Sequence, residues 1–573
     1  MKVRTCAILL CVAAVLADEE WMDVTIAQGT VRGRLNPRED LYAFYNIPYA
    51  AAPTGVHKFK APLAPPKWSY PYHTEERNFV CPQVLYQILN KKPVIDENNC
   101  LLVNVFVPRT SDQNLSVFVY VHGGAFTIGY GNINKGTELM QKKDFIMVTF
   151  NYRLGVHGFL CLGTEDIPGN AGMKDQVALL RWVQKNIASF GGNPEEVTIA
   201  GSSSGSASVE LLMLSKSAEG LFHRAIPESG GSLAAFAVQR DPLETAKYIG
   251  RKLNFTNVDD IPALEEFYKM APLELLTKYT FFDRTDSTFL FAPCVERDTG
   301  ERPFITESPL SILKSGNFKK LPVLYGFTSM EGLLRIDFFD KWKHRMNEKF
   351  SDFLPADLQF RTDEERKEVG EMIKLFYFGN ESIGDNNVLG FVNYFSDVMI
   401  TYPMLRAVQL YVQAGNKQVY LYEYSFLDNE SGPKSTIRGA DHCGQSTAWL
   451  DNLDIQTESS ASVSYQKMRK IVRDIWHNFI KTGKPVPFDD SSLPSWPPAG
   501  ADRSPHLNLG KWLELRGVLL RERARFWDGI YQQFYRDAIP PPAYYQNMVA
   551  IVPTSDLVRR KLYAFGNRMS PTD

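Results

Sequence analysis

An α/β architecture, a mostly parallel twisted sheet with helices on both faces, follows from three features of the sequence. Short β-rich apolar runs alternate with helical periodicity through the middle of the chain. Apolar residues make up 44% and charged residues 22% of the 573 residues, which is ordinary globular composition. No internal repeat or low-complexity linker divides the chain, so its length reads as one large body.

The elements run as follows. Ser116–His122 (SVFVYVH) and Phe145–Tyr152 (FIMVTFNY) are β-rich runs ended by Gly or Arg, and they read as buried strands of a mostly parallel sheet. Asp175–Phe190 carries Val177, Leu180, Val183, Ile187 and Phe190 at steps of three and four, which predicts an amphipathic helix. Gly191-Gly192-Asn193-Pro194 stops it. Glu196–Ala200 (EVTIA) is a short strand, and helix-compatible sequence runs from Ser204 to Lys216. Leu321–Tyr325 and Val419–Tyr424 are further strands. Such βαβ alternation implies a parallel sheet with helices on both faces, with chemistry collected beyond the carboxyl ends of the strands.

Charge and cysteine usage bound the setting. The 63 basic and 65 acidic residues nearly cancel, giving −2, which excludes nucleic acid or an anionic membrane surface as the main partner. Lys2 and Arg4 precede an apolar run from Cys6 to Leu16, with Val15 and Ala17 placed for cleavage before Asp18. Residues 1–17 thus read as a secretory signal peptide, and the run is too short for a membrane span. No later stretch is long and apolar enough to span, so a soluble, secreted chain without a membrane anchor is expected. One domain is expected over 18–542, and Pro540-Pro541-Pro542 marks a break before a tail, 543–573, to which the sequence assigns no structure. Cys81, Cys100, Cys161, Cys294 and Cys443 would remain after cleavage. In an oxidising compartment a pair is expected, and the odd count leaves a free thiol. Cys81 and Cys100 are nearest in sequence; the partners of the other three stay open. Sequons at Asn114, Asn254, Asn380 and Asn429 are glycosylation candidates. No His/Cys spacing suggests a metal site, and no cofactor is implied.

Two motifs carry chemistry. Gly201-Ser202-Ser203-Ser204-Gly205 fits G-x-S-x-G, in which two glycines let a strand turn sharply into a helix and leave Ser203 on a strained elbow. Three common residues in that pattern arise by chance about 0.2 times in such a length, and a Ser/Gly-rich turn is the bland alternative. A strand before it and helical sequence after it are the context an elbow requires. His122-Gly123-Gly124-Ala125-Phe126 directly follows the Ser116–Tyr120 strand. Small residues there let backbone N–H groups approach a developing oxyanion, though a tight Gly-Gly turn would look the same.

Together these motifs resemble the carboxylesterase/cholinesterase family of α/β-hydrolases. The resemblance runs from about Val24 to about Tyr535. Tyr42-Ala43-Phe44-Tyr45-Asn46-Ile47-Pro48-Tyr49-Ala50, then Asn151-Tyr152-Arg153-Leu154-Gly155, Gly158-Phe159-Leu160, and Pro168-Gly169-Asn170 with Asp175-Gln176 and Arg181-Trp182-Val183 stand in the family's order. The pattern is most similar to secreted insect carboxylesterases. The resemblance implies an α/β-hydrolase fold, a Cys81–Cys100 disulfide, and a triad of Ser203, Glu331 in Gly326-Phe327-Thr328-Ser329-Met330-Glu331, and His442 in Gly439-Ala440-Asp441-His442. It also implies oxyanion donors at the N–H groups of Gly124, Ala125 and Ser204, and a supporting role near the triad for Ser229.

The chain departs from the family in places. Ser202 stands where Glu is usual, and where juvenile hormone esterases usually carry Gln. No Trp lies between Cys81 and Cys100, and both features argue against acetylcholine as substrate. Cys443-Gly444-Gln445 follows His442 where an acid is frequent, Ala125 replaces a third glycine, and Asn98-Asn99 replace an acidic pair. The expected function is hydrolysis of small, uncharged, lipophilic carboxylic esters through an acyl-enzyme. A slow or silent relative acting as ligand-binding or adhesion protein, or as a stoichiometric ester or organophosphate sink, is the alternative. The retained Ser, Glu and His and the lack of a membrane stem favour the enzyme.

Overall fold

The computed structural model describes residues 20–83, 94–96, 99–278, 283–428, 439–452, 462–487 and 493–543. The signal peptide expected over 1–17, Asn98, Asn429, and the tail after Ala543 lie outside the described residues.

Twelve strands line up in one sheet: β1 (Trp21–Ile26), β2 (Gly29–Asn36), β3 (Leu41–Pro48), β4 (Leu102–Pro108), β5 (Leu115–Val121), β6 (Phe145–Phe150), β7 (Gly192–Ser202), β8 (Arg224–Glu228), β9 (Val323–Thr328), β10 (Val419–Tyr424), β11 (His506–Leu509) and β12 (Leu513–Arg516). Their spatial order is β1-β2-β3-β4-β6-β5-β7-β8-β9-β10-β11-β12, and a thirteenth short strand, Tyr72–His73, pairs with β2. From β6 to β11 every pairing is parallel, and the two ends of the sheet are antiparallel. The fold is thus the α/β-hydrolase type that the sequence predicts.

The central strands are buried on both faces, as parallel strands must be when helices cover each side. Along β5, Val117, Val119 and Val121 enter one apolar cluster while Phe118 and Tyr120 enter another. Helices α1 (Ala171–Asn186) and α2 (Ser204–Leu214) supply the first cluster with Val177, Leu180, Val209 and Leu212. Two later helices, α3 (Gly444–Trp449) and α4 (Val463–Thr482), supply the second with Trp449, Val472, Ile475 and Phe479. Among the described residues no helix is long and apolar enough to cross a membrane.

Two boundaries differ from the sequence reading. The helix predicted from Asp175 begins at Ala171, because Asn170 takes a left-handed conformation (φ 58°) and turns the chain earlier. The strand predicted from Glu196 begins at Gly192, which pairs with Leu115 before an irregularity restores register at Val197. The Asn-Pro turn signal lies inside that irregular stretch.

Two disulfides tie the loops. Cys81 and Cys100 are joined with Cα atoms 4.9 Å apart, the pairing the resemblance implies. Cys161 and Cys294, left open by the sequence, are joined at 6.7 Å. Cys443 is free. Asn114, Asn254 and Asn380 are exposed.

Candidate active site

Strands β7, β9 and β10 end at one edge of the parallel sheet, and each hands the chain to a loop that bears a candidate residue. After Ser202, Ser203 adopts φ 58° and ψ −123°, a region costly for a non-glycine residue, and α2 starts at the next position. The elbow is held by Ser203 N–H donating to Glu228 O (2.9 Å) and Ala207 N–H donating to Ser203 O (3.1 Å). Its flanking glycines are sterically required. A Cβ at Gly205 would lie 2.2 Å from Val121 O, and one at Gly201 2.5 Å from Gly205 O. The elbow therefore packs directly on the end of β5.

That contact brings the His122–Phe126 turn against the serine. Gly124 (φ 112°), Ala125 (φ 55°) and Phe126 (φ 57°) are all left-handed, and a Cβ on Gly123 would come within 3.2 Å of Ser203 Cβ. Phe126 N–H donates to Ser204 Oγ at 3.2 Å, pinning the turn to the start of α2. The Ser204 N–H opens that helix, where backbone donors have no partner within the helix. A positive-φ turn packed against a helix start beside a hydroxyl is a setting in which backbone N–H groups can serve an anion or an oxyanion.

Glu331 opens a 3-10 turn immediately beyond β9 and is fully buried. Its Oε1 accepts the Thr328 N–H at 2.8 Å. Its Oε2 accepts a hydrogen bond from His442 Nδ1 at 2.5 Å. The two loops are stitched together by Met330 N–H donating to Ala440 O at 3.0 Å. With Nδ1 committed to Glu331, the other ring nitrogen, Nε2, is buried and makes no hydrogen bond among the described residues. Burial works against a charged His442 ring, but Cys443 and Glu331 beside it outweigh burial and hold its pKa well above the ordinary imidazole value. The structure thus brings Glu331 and His442 into direct contact, and sets Ser203 at the same sheet edge without a hydrogen bond to the ring.

Ser229 is left-handed (φ 56°) and follows β8; its N–H donates to Gly326 O at 2.9 Å. Its hydroxyl accepts the Gln445 Nε2–H at 2.7 Å, so the residue standing for the family's frequent acid is an amide that clamps α3 to the β8 loop. Ser202 points the other way, its hydroxyl 2.8 Å from Tyr120 OH inside the sheet. Asn99 N–H donates to Asp96 Oδ1 at 2.9 Å, a local turn bond.

Two groups escaped the sequence reading. Glu228, between the elbow and α3, is fully buried; burial drives its pKa up to about 8, opposed by the Trp449 indole N–H 3.2 Å away. Gln445 was noted only as a missing acid. Adjacency of Glu228 to Ser229 was the available signal. His122 and His157 are neutral by burial, with pKa values lowered to about 4 and about 3. His122 stacks on Tyr152 at 4.4 Å.

The Carboxylesterase family model matches residues 21–527. A juvenile hormone esterase of Tribolium castaneum is 32% identical over 495 residues, 81% of this chain and 83% of that protein. Esterase FE4 of Myzus persicae is 30% identical over 504 residues, 84% of this chain and 87% of that protein. The crystal structure of the juvenile hormone esterase from Manduca sexta, with OTFP covalently attached, superposes with a TM-score of 0.79 at 28% identity, covering 90% of this chain and all of that one. The chain belongs to the carboxylesterase family and is a carboxylic ester hydrolase.

Proposed function

We propose that the protein is a secreted serine esterase for small, uncharged, lipophilic carboxylic esters. The observation that carries this reading is the buried Glu331–His442 pair, with Nε2 uncommitted, at the sheet edge where the strained elbow presents Ser203. In the mechanism, Ser203 Oγ attacks the ester carbonyl as His442 Nε2 takes its proton. Glu331 fixes the tautomer through Nδ1–H and stabilises the imidazolium. The N–H groups of Gly124, Ala125 and Ser204 receive the negative charge on the carbonyl oxygen, each worth about 3 kcal/mol. The imidazolium protonates the leaving alcohol, and water, activated by the same nitrogen, then releases the acid and frees Ser203. No step needs a metal or organic cofactor.

Neutral esters are favoured because Ser202 supplies no carboxylate and its hydroxyl is engaged by Tyr120. Secretion is supported by the signal-like leader and by two disulfides, which persist in oxidising compartments.

The test is hydrolysis of a short-chain nitrophenyl ester beside Ser203→Ala. Repeated turnover by the wild type and a loss of roughly 10³-fold or more in the variant are expected. A single burst without turnover would replace the catalyst with a stoichiometric sink. A fluorophosphonate adduct on a different serine would overturn the assignment of the nucleophile.

A further inference from the structure

A cavity of about 620 Å³ lies against α1, with none of the proposed catalytic groups in its wall. Its size is that of a small-molecule site. On α1, Lys174, Val177, Ala178 and Arg181 recur at steps of three and four, so one helical face lines the cavity. Val177 and Ala178 form part of an apolar lining, completed by Phe304 and by Leu63, which is 59% exposed.

The charges around this lining do not balance locally. Lys174 is engaged by Glu296 at 2.9 Å and Glu301 at 3.4 Å. Lys60, also in the wall, pairs with Asp166 at 3.1 Å. Arg181 donates to the Ser217 carbonyl at 3.2 Å and has no acidic partner among the described residues. Arg302 makes no hydrogen bond or ion pair among them. Both guanidiniums line the same cavity. Partial burial, and then Arg302 nearby, lower the pKa of Arg181, which places two like charges within reach of one another. An anionic headgroup between them would relieve that repulsion and gain charge-assisted hydrogen bonds.

We propose that this cavity is a second binding site, for a single-chain amphiphilic anion. Its carboxylate or phosphate headgroup sits between Arg181 and Arg302, and its alkyl chain lies on Val177, Ala178, Leu63 and Phe304. Ester hydrolysis releases ligands of the carboxylate kind, but the site does not depend on the catalytic assignment, because its residues take no part in it.

The test is calorimetric titration of the full chain with sodium decanoate and, separately, with decyl phosphate; the tighter of the two identifies the headgroup. Decanol is the uncharged control. One anion per chain is expected, with decanol at least about tenfold weaker. Affinity for the anion should fall about tenfold or more in Arg181→Ala/Arg302→Ala and vanish in Ala178→Trp, which fills the half-buried lining. Ester turnover in the arginine double variant should equal wild type, so failure here is distinct from failure of the esterase reading. Anion binding unchanged in the double variant, surviving Ala178→Trp, matched by decanol, or absent from the wild type overturns the proposal. Because both arginines are exposed, their removal does not threaten the fold if the tryptophan variant misfolds.

Discussion

Replacing Glu331 by Gln separates charge and tautomer from shape. Glu331 Oε1 accepts the Thr328 N–H at 2.8 Å while Oε2 accepts the His442 Nδ1–H at 2.5 Å. A glutamine keeps the volume but has one acceptor oxygen and one NH₂ group. The buried Thr328 N–H requires the oxygen, since leaving it unpaired costs about 1–3 kcal/mol. The NH₂ group is then aimed at His442 Nδ1. The ring can accept that bond only as the tautomer bearing its proton on Nε2, where it cannot take the proton of Ser203. The expected loss in kcat is about 10⁴-fold, about 5 kcal/mol of transition-state stabilisation. Steady-state hydrolysis of a nitrophenyl ester, with circular dichroism to confirm the fold, measures it. A folded variant within about tenfold of wild type would refute the reasoning, because the carboxylate would then have no part in setting the tautomer.

Four further outcomes are expected. Because His442 must be neutral to act and its pKa is raised, kcat/KM should fall as pH drops through a value above the ordinary imidazole range. Cys443→Ala, by removing one of the two groups that favour the charged ring, should move that limb to lower pH in a pH–rate profile. Gly124→Ala would put a Cβ 2.0 Å from Ile128 O and displace the turn, lowering kcat by about 10²–10³-fold in the same ester assay. Denatured loops of 19 and 133 residues imply that losing Cys81–Cys100 costs about 3 kcal/mol and losing Cys161–Cys294 about 5 kcal/mol, measured as urea midpoints of the paired Cys→Ala variants.

The central strands were legible because burial on both faces leaves mostly apolar residues: all six positions of Phe145–Phe150 are buried, and only Thr149 among them is polar. The amino-terminal strands were not read as strands. Trp21–Ile26 is half exposed, and Trp21 at its edge is 41% exposed, so its composition follows solvent as much as core. Ser203 was legible because the elbow makes local demands that a glycine pattern records. Glu331 and His442 make no such demand. Each sits in a loop beyond its strand, and only the family order of motifs located them. The Cys161–Cys294 bridge joins positions 133 apart, and the Ser229–Gln445 bond joins positions 216 apart; no local spacing encodes either. Such contacts are properties of the closed sheet, which aligns the ends of β8, β9 and β10.

The charge balance at that edge bears on the substrate class. Two carboxyl groups are buried there, Glu331 and Glu228, and they differ in what surrounds them. Glu331 faces His442 and a backbone N–H, both of which favour its anion. For Glu228, burial outweighs its hydrogen bond from Trp449, and with a pKa near 8 it is mostly the neutral acid at pH 7. Ser202 and Gln445 add no charge at the two positions where acids are frequent in relatives. If the triad acts as proposed, Glu331 is the carboxylate that faces the imidazolium, and Glu228, mostly neutral at pH 7, adds no second one. Glu228 in its neutral form and the Ser202 hydroxyl would neither attract a cationic ester nor stabilise a cationic group beside the scissile bond. On the proposed reading, discrimination among esters falls to apolar contact, where each buried methylene is worth about 0.8 kcal/mol, and neutral, lipophilic substrates would gain most.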